Sequence, residues 1–175
     1  DEEGEHLHIF DEWDIKNASI DEFCRRLLVS KYGDRVRDLV ITGDRMGANR
    51  TDTSIDNASR YKMIQNQLHL NNHQLKVPAN PTHGKSRNDC NYVLASYPDF
   101  KINPKTCPNT VRDMKIVACD AYGSIIKRNR NKIEEQADHL DVVRYTINTF
   151  LSQWVKDHQK ARGTEYIFHK SLQSQ

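Results

Sequence analysis

The chain of 175 residues carries a formal net charge of only +2, with 37% hydrophobic and 29% charged residues. That length suits one domain with a real core, and the weak net charge excludes a global electrostatic field as the basis of nucleic-acid binding. No apolar run is long enough to cross a bilayer, no signal peptide opens the sequence, and Cys24, Cys90, Cys107 and Cys119 form neither a Cys-x-x-Cys pair nor a disulfide framework.

In chain order, Leu7-His8-Ile9-Phe10 is a strand candidate running into Asp11-Glu12-Trp13-Asp14. Ser19 and Glu22 form a predicted capping box for a helix with Ile20, Phe23, Leu27 and Leu28 on one face, Cys24 as a small core residue and a stop near Gly33. The apolar, β-branched run from Asp38 to Gly43-Asp44 predicts a strand buried on both faces. A polar stretch follows, in which Asp52 and Asp56 are expected to start a helix. Tyr61, Ile64 and Leu68 mark the next helix, and Gln74–Pro78 a short strand ended by proline. Ser86 is the expected cap of a helix with Cys90, Val93 and Leu94 inward, and Gly123 predicts a tight turn into a β-hairpin. This alternation of strands and helices predicts an α/β domain over residues 1–160, with a weakly periodic tail over 161–175 that is expected to fray.

The most informative segment is Asp138-His139-Leu140-Asp141-Val142-Val143-Arg144-Tyr145. It opens an amphipathic helix whose stripe runs through Leu140, Val143, Ile147, Leu151, Trp154 and Val155. At about 100° per residue, Asp141 lies at the edge of the stripe, Asp138 farther toward solvent, and Tyr145 one turn beyond Asp141. In open α/β sheets ligands collect at the carboxyl ends of strands, where Asp44 is expected. Two such carboxylates suit a hard divalent cation, Mg²⁺ or Mn²⁺. A turn-capping Asp44 and a solvated Asp141 fit the same residues. Glu12, at the exit of the first strand, is a third carboxylate candidate. Arg45 and Arg50 after Asp44, and Lys127, Arg128, Arg130 and Lys132 before the acidic helix, are candidate phosphate contacts or solvated charges. His6 and His8 alternate on the first strand without forming a zinc pattern with the cysteines, and His139 falls on the flank away from Asp141.

Gly43-Asp44 with Gly47 close behind, Cys107-Pro108-Asn109-Thr110-Val111-Arg112-Asp113-Met114, Gly123-Ser124-Ile125-Ile126-Lys127 and above all Asp138–Tyr145 resemble the nuclease domain of the large terminase subunit, the DNA-packaging motor of tailed bacteriophages. The likeness spans most of residues 5–156. It implies an RNase H-like fold, a central mixed β-sheet flanked by helices with a β-hairpin beside the active site. It also implies two-metal-ion cleavage of concatemeric viral double-stranded DNA with low sequence specificity. Asp44 would be the bridging ligand, Asp141 the helix-borne ligand and Asp138 a secondary one. The family's opening strand, which carries its first metal-binding Asp, has no counterpart before Glu5–Phe10, so the resemblance implies that this ligand comes from residues upstream of Asp1. An upstream ATPase domain, the portal ring, the small terminase subunit and the cytoplasm of an infected bacterium are implied in the same way. No Gly-x-x-x-x-Gly-Lys-Ser/Thr loop occurs in the sequence itself. A junction resolvase of the same superfamily and a non-catalytic DNA- or portal-docking module are the alternatives.

Overall fold

A computed structural model describes residues 6–15, 18–49, 59–121, 124–126, 129, 131–132 and 135–160. The chain is mixed α/β. Strand β1 (His6–Ile9) pairs in parallel with β2 (Asp99–Ile102), in the register His6 to Asp99 and Ile9 to Ile102. The helices are α1 (Ile20–Val29), α2 (Arg60–Gln67), α3 (His83–Ser96), α4 (Pro108–Ile116) and α5 (Asp138–Phe150), with a further helical stretch over 152–160.

Two apolar clusters hold these elements. Val93 of α3 packs with Val143 and Ile147 of α5 and with Leu151 and Val155 beyond it, and Leu7, Ile9 and Phe100 from the inner face of the strand pair close this core. Cys24 and Leu27 of α1 pack with Val36, Leu68 and Leu70 in the second. The expected core role of Cys24 and the apolar stripe of the acidic helix both hold. All four cysteines are free thiols.

The segment leading to Asp44 departs from expectation. It is not a strand buried on both faces: Gly33–Asp38 winds as a 3-10 helix, Val40 is exposed, and Ile41 alone makes a parallel bridge, to Leu75. The physical reason lies in Gln74, whose side-chain amide donates to the carbonyls of Val36, Arg37 and Leu39 at 2.9–3.1 Å. Of these only Leu39 lies in the expected strand, whose pairing is thereby confined to Ile41 with Gln74 and Lys76. The expected strand at 74–78 shrinks to the same bridge.

Three smaller corrections concern helix ends. Ser19 caps α1 as expected, accepting from the Glu22 amide at 3.1 Å, but the Glu22 carboxylate turns to Arg25 and Arg26. Helix α3 begins at His83 with Thr82 as its cap, because Ser86 is buried inside the helix as an acceptor for Arg144. Leu94 is exposed, since the α3 face packed on α5 centres on Cys90 and Val93. Of the expected hairpin the described residues show one isolated antiparallel bridge, Cys119 to Ile125, with the Asp120 amide donating to the Ser124 carbonyl and the Ser124 amide to the Asp120 carboxylate. Gly123, Asp52, Asp56 and the tail lie outside the described residues.

Candidate functional site

Asp44 ends its segment as the cap of a short 3-10 helix, Arg45–Ala48. Its Oδ1 accepts from the Met46 amide and from the Asn80 side chain, each at 2.8 Å. Tyr61 lies across this turn and donates to the Asp44 carbonyl at 2.9 Å. Glycine makes that approach possible: a methyl on Gly43 would sit 2.5 Å from the Tyr61 hydroxyl, and one on Gly47 2.9 Å from its ring. The turn-capping reading of Asp44 is therefore realised, whatever else the residue does.

Asp141 occupies the first turn of α5, at the border of the apolar stripe. Its Oδ1 accepts from Arg144 Nη1 at 2.5 Å, and the Arg144 side chain is only 8% exposed. Arg144 also donates through Nε to Ser86 at 2.8 Å and approaches His83 Nδ1 at 3.4 Å. Asp141 is thus an oriented carboxylate, locked to a buried guanidinium whose remaining donors are met from α3.

The two acids converge on Tyr145. Burial raises the phenol's pKa, and the negative charges of Asp141 and Asp44 raise it further; Arg144 opposes them, and a hydrogen bond between Tyr145 and Asp44 adds to the rise. Tyr61 is raised for a related reason, burial first and then Asp44 and Tyr145. A 2.6 Å contact between the hydroxyls of Thr42 and Thr149 fastens the Asp44 segment along the far end of α5. Two carboxylates from distant parts of the chain thus both act on Tyr145, and Tyr61 lies across the Asp44 turn.

The remaining candidates divide. Asp138 is exposed at the head of α5. Glu12 is taken up elsewhere: its carboxylate accepts from the amides of Asn109 and Thr110 and from the Thr110 hydroxyl at 2.7–2.8 Å. It supplies the N-terminal cap that Cys107 does not give α4. Burial works against the charged form of Glu12, but these hydrogen bonds outweigh it and lower its pKa. Arg45 is exposed and donates to the Val77 carbonyl at 2.8 Å, and exposed Lys132 lies 3.7 Å from Glu135. Arg50, Lys127, Arg128 and Arg130 lie outside the described residues.

Asp113 has a part that spacing alone did not reveal. Fully buried, it accepts from the His139 and Leu140 amides at the start of α5 and from Arg112 at 2.6 Å. His139 is held beside it, its Nδ1 3.9 Å from the carboxylate, in keeping with a structural histidine. Two successive helices are capped by carboxylates from outside themselves, Glu12 on α4 and Asp113 on α5, and the second cap fixes the turn that carries Asp141. Among the described residues the group of three ligating side chains placed to hold a metal ion is not the carboxylate pair but His6, His8 and Asp99, whose ligand atoms all lie within 4.8 Å of one another.

No family model, curated protein or solved structure matches the chain.

Proposed function

We propose that the chain is a metal-dependent endonuclease module of the terminase type, cleaving double-stranded DNA at the Asp44–Asp141 site with low sequence specificity. The observation that supports this reading is the convergence of those two carboxylates on Tyr145, because the resemblance of Asp138–Tyr145 and Gly43-Asp44 requires the two segments to meet. The donor set is of hard oxygens, which suits Mg²⁺ or Mn²⁺ and not softer ions. Asp44 and Asp141 would hold the cations, with Asp138 at the rim.

Divalent ions bound there supply an activated water and charge stabilisation at the leaving 3′ oxygen. The chain's own residues do the positioning. Arg144 and the cap from Asp113 fix Asp141, while Asn80 and the Met46 amide fix Asp44. Tyr145, hydrogen-bonded to Asp44, ties the Asp44 turn to α5. Arg45 and Lys132, both exposed, are available for phosphate contact, which is independent of base sequence.

Incubation of supercoiled plasmid with Mn²⁺ tests the reading. The chain nicks the plasmid, EDTA stops it, and Asp44→Asn and Asp141→Asn each abolish the activity while the far-ultraviolet circular dichroism is kept. Cleavage retained by both variants refutes the assignment. Faster cutting of branched than of linear DNA redirects it to a junction resolvase, and no metal-dependent loss of supercoiled DNA redirects it to a docking module.

A further inference from the structure

The face of the strand pair that points away from the core carries chemistry that the carboxylate site does not use. Side chains alternate along a strand, so His6 and His8 share one face of β1 while Leu7 and Ile9 enter the core. The parallel register sets Asp99 directly beside His6 and Lys101 beside His8. Both imidazoles reach one carboxylate oxygen: His6 Nδ1 lies 2.6 Å and His8 Nε2 2.7 Å from Asp99 Oδ2. Lys101 Nζ pairs with the other oxygen, Oδ1, at 2.8 Å.

We propose that His6, His8 and Asp99 form a binding site for a first-row transition metal, Zn²⁺ above all, that clips β1 to β2 and is chemically distinct from the carboxylate site. Donors sharing a tetrahedral ion at bond lengths of about 2.0–2.2 Å stand about 3.4 Å apart. The three ligand atoms, within 4.8 Å of one another, reach that arrangement by side-chain rotation alone. Two imidazoles and one carboxylate select Zn²⁺, Ni²⁺ or Cu²⁺ over Mg²⁺ and Ca²⁺, which prefer all-oxygen sites. Each neutral imidazole needs only to carry its proton on the nitrogen remote from Asp99, a tautomer change without net charge. Lys101 holds the carboxylate by its second oxygen, which keeps Oδ2 turned toward the histidines. His6 and His8 are half-exposed, so the fourth coordination position opens to water or to an external anionic ligand.

Calorimetric titration of the tag-free chain with ZnCl₂, repeated in excess Mg²⁺, tests the site. One Zn²⁺ binds per chain, Mg²⁺ does not displace it, and Co²⁺ substitution gives the visible absorption of a low-symmetry nitrogen–oxygen site. His8→Ala and Asp99→Ala each weaken binding by more than about tenfold, the loss expected of even an outer partner of a metal ligand. Asp44→Asn leaves the isotherm unchanged. Zn²⁺ affinity unaltered in the His6→Ala/His8→Ala double variant overturns the proposal, as does stoichiometric displacement by Mg²⁺. Because His6 and His8 are half-exposed, thermal unfolding without metal should barely differ between the histidine variants and the native protein, which separates ligand loss from misfolding.

Discussion

The two clusters of ligating side chains are built in opposite ways. Asp44 and Asp141 come from a turn and a helix that both act on Tyr145, and Asp141 is oriented by two buried groups, Arg144 and the Asp113 cap. His6, His8 and Asp99 need only two short strands in register, and their orientation comes from one another and from Lys101. The first cluster offers hard oxygen donors and the second imidazole nitrogen. On these two proposals, the domain would sort two classes of metal by donor type. The contrast also predicts how each fails: the carboxylate site through its scaffold, the histidine site through its ligands.

The largest separation should come from Asp141→Asn, which abolishes Mn²⁺-dependent nicking yet leaves Zn²⁺ binding untouched when both are measured on one preparation. Next is Asp113→Ala. Removing a buried carboxylate that caps α5 and pairs with Arg112 should cost about 3 kcal/mol in urea unfolding. Below the unfolding midpoint it should impair nicking while Zn²⁺ affinity holds, because His6 and His8 lie on the face of β1 opposite the one packed on the core. Glu12→Gln is smaller, about 1 kcal/mol at neutral pH, the scale of a lost helix cap. Its sign with pH is fixed by the lowered pKa of Glu12. The native chain holds this stability above the ordinary carboxylate value of 4.5 and loses it as pH falls through the lower folded value. Unfolding curves of the native and Gln proteins should therefore approach one another in acid, and a gap that widens there would contradict the capping role. Smallest is Lys101→Ala, which removes the ion pair that keeps Asp99 Oδ2 turned toward the histidines and should weaken Zn²⁺ binding a few-fold in calorimetry. Tighter binding would show that repulsion of the ion by Lys101 outweighs its hold on Asp99.

The acidic helix was legible because its signal is local. Leu140, Val143, Ile147 and Leu151 repeat at helical spacing, and that period by itself sets Asp141 at the border of the buried stripe and one turn from Tyr145. The segment before Asp44 departs from a strand because apolar, β-branched content does not reveal that Gln74, a distant polar residue, will tie its Leu39 carbonyl to the end of the preceding 3-10 helix. Glu12 was misplaced for a similar reason. A carboxylate at a strand exit looks alike in sequence whether it holds a metal or caps a helix, and only the arrival of Asn109 and Thr110 decides between them. His6 and His8 were visible as an alternating pair, but comparison with cysteines could not supply the third ligand. Asp99 lies on a strand that periodicity did not mark, and register alone brings it to them.

By itself the sequence determined what short-range periodicity encodes: the face of the last helix, the capped start of α1 at Ser19, the buried Cys24 and the turn chemistry at Gly43-Asp44. Tertiary structure alone decided which carboxylates would be consumed as caps, which would meet at Tyr145, and which would stand beside two histidines. The physical reason is that a carboxylate bonds whatever donors are brought within reach, amide, guanidinium, phenol or imidazole. Its role is therefore set by its neighbours in space and not by its neighbours in the chain.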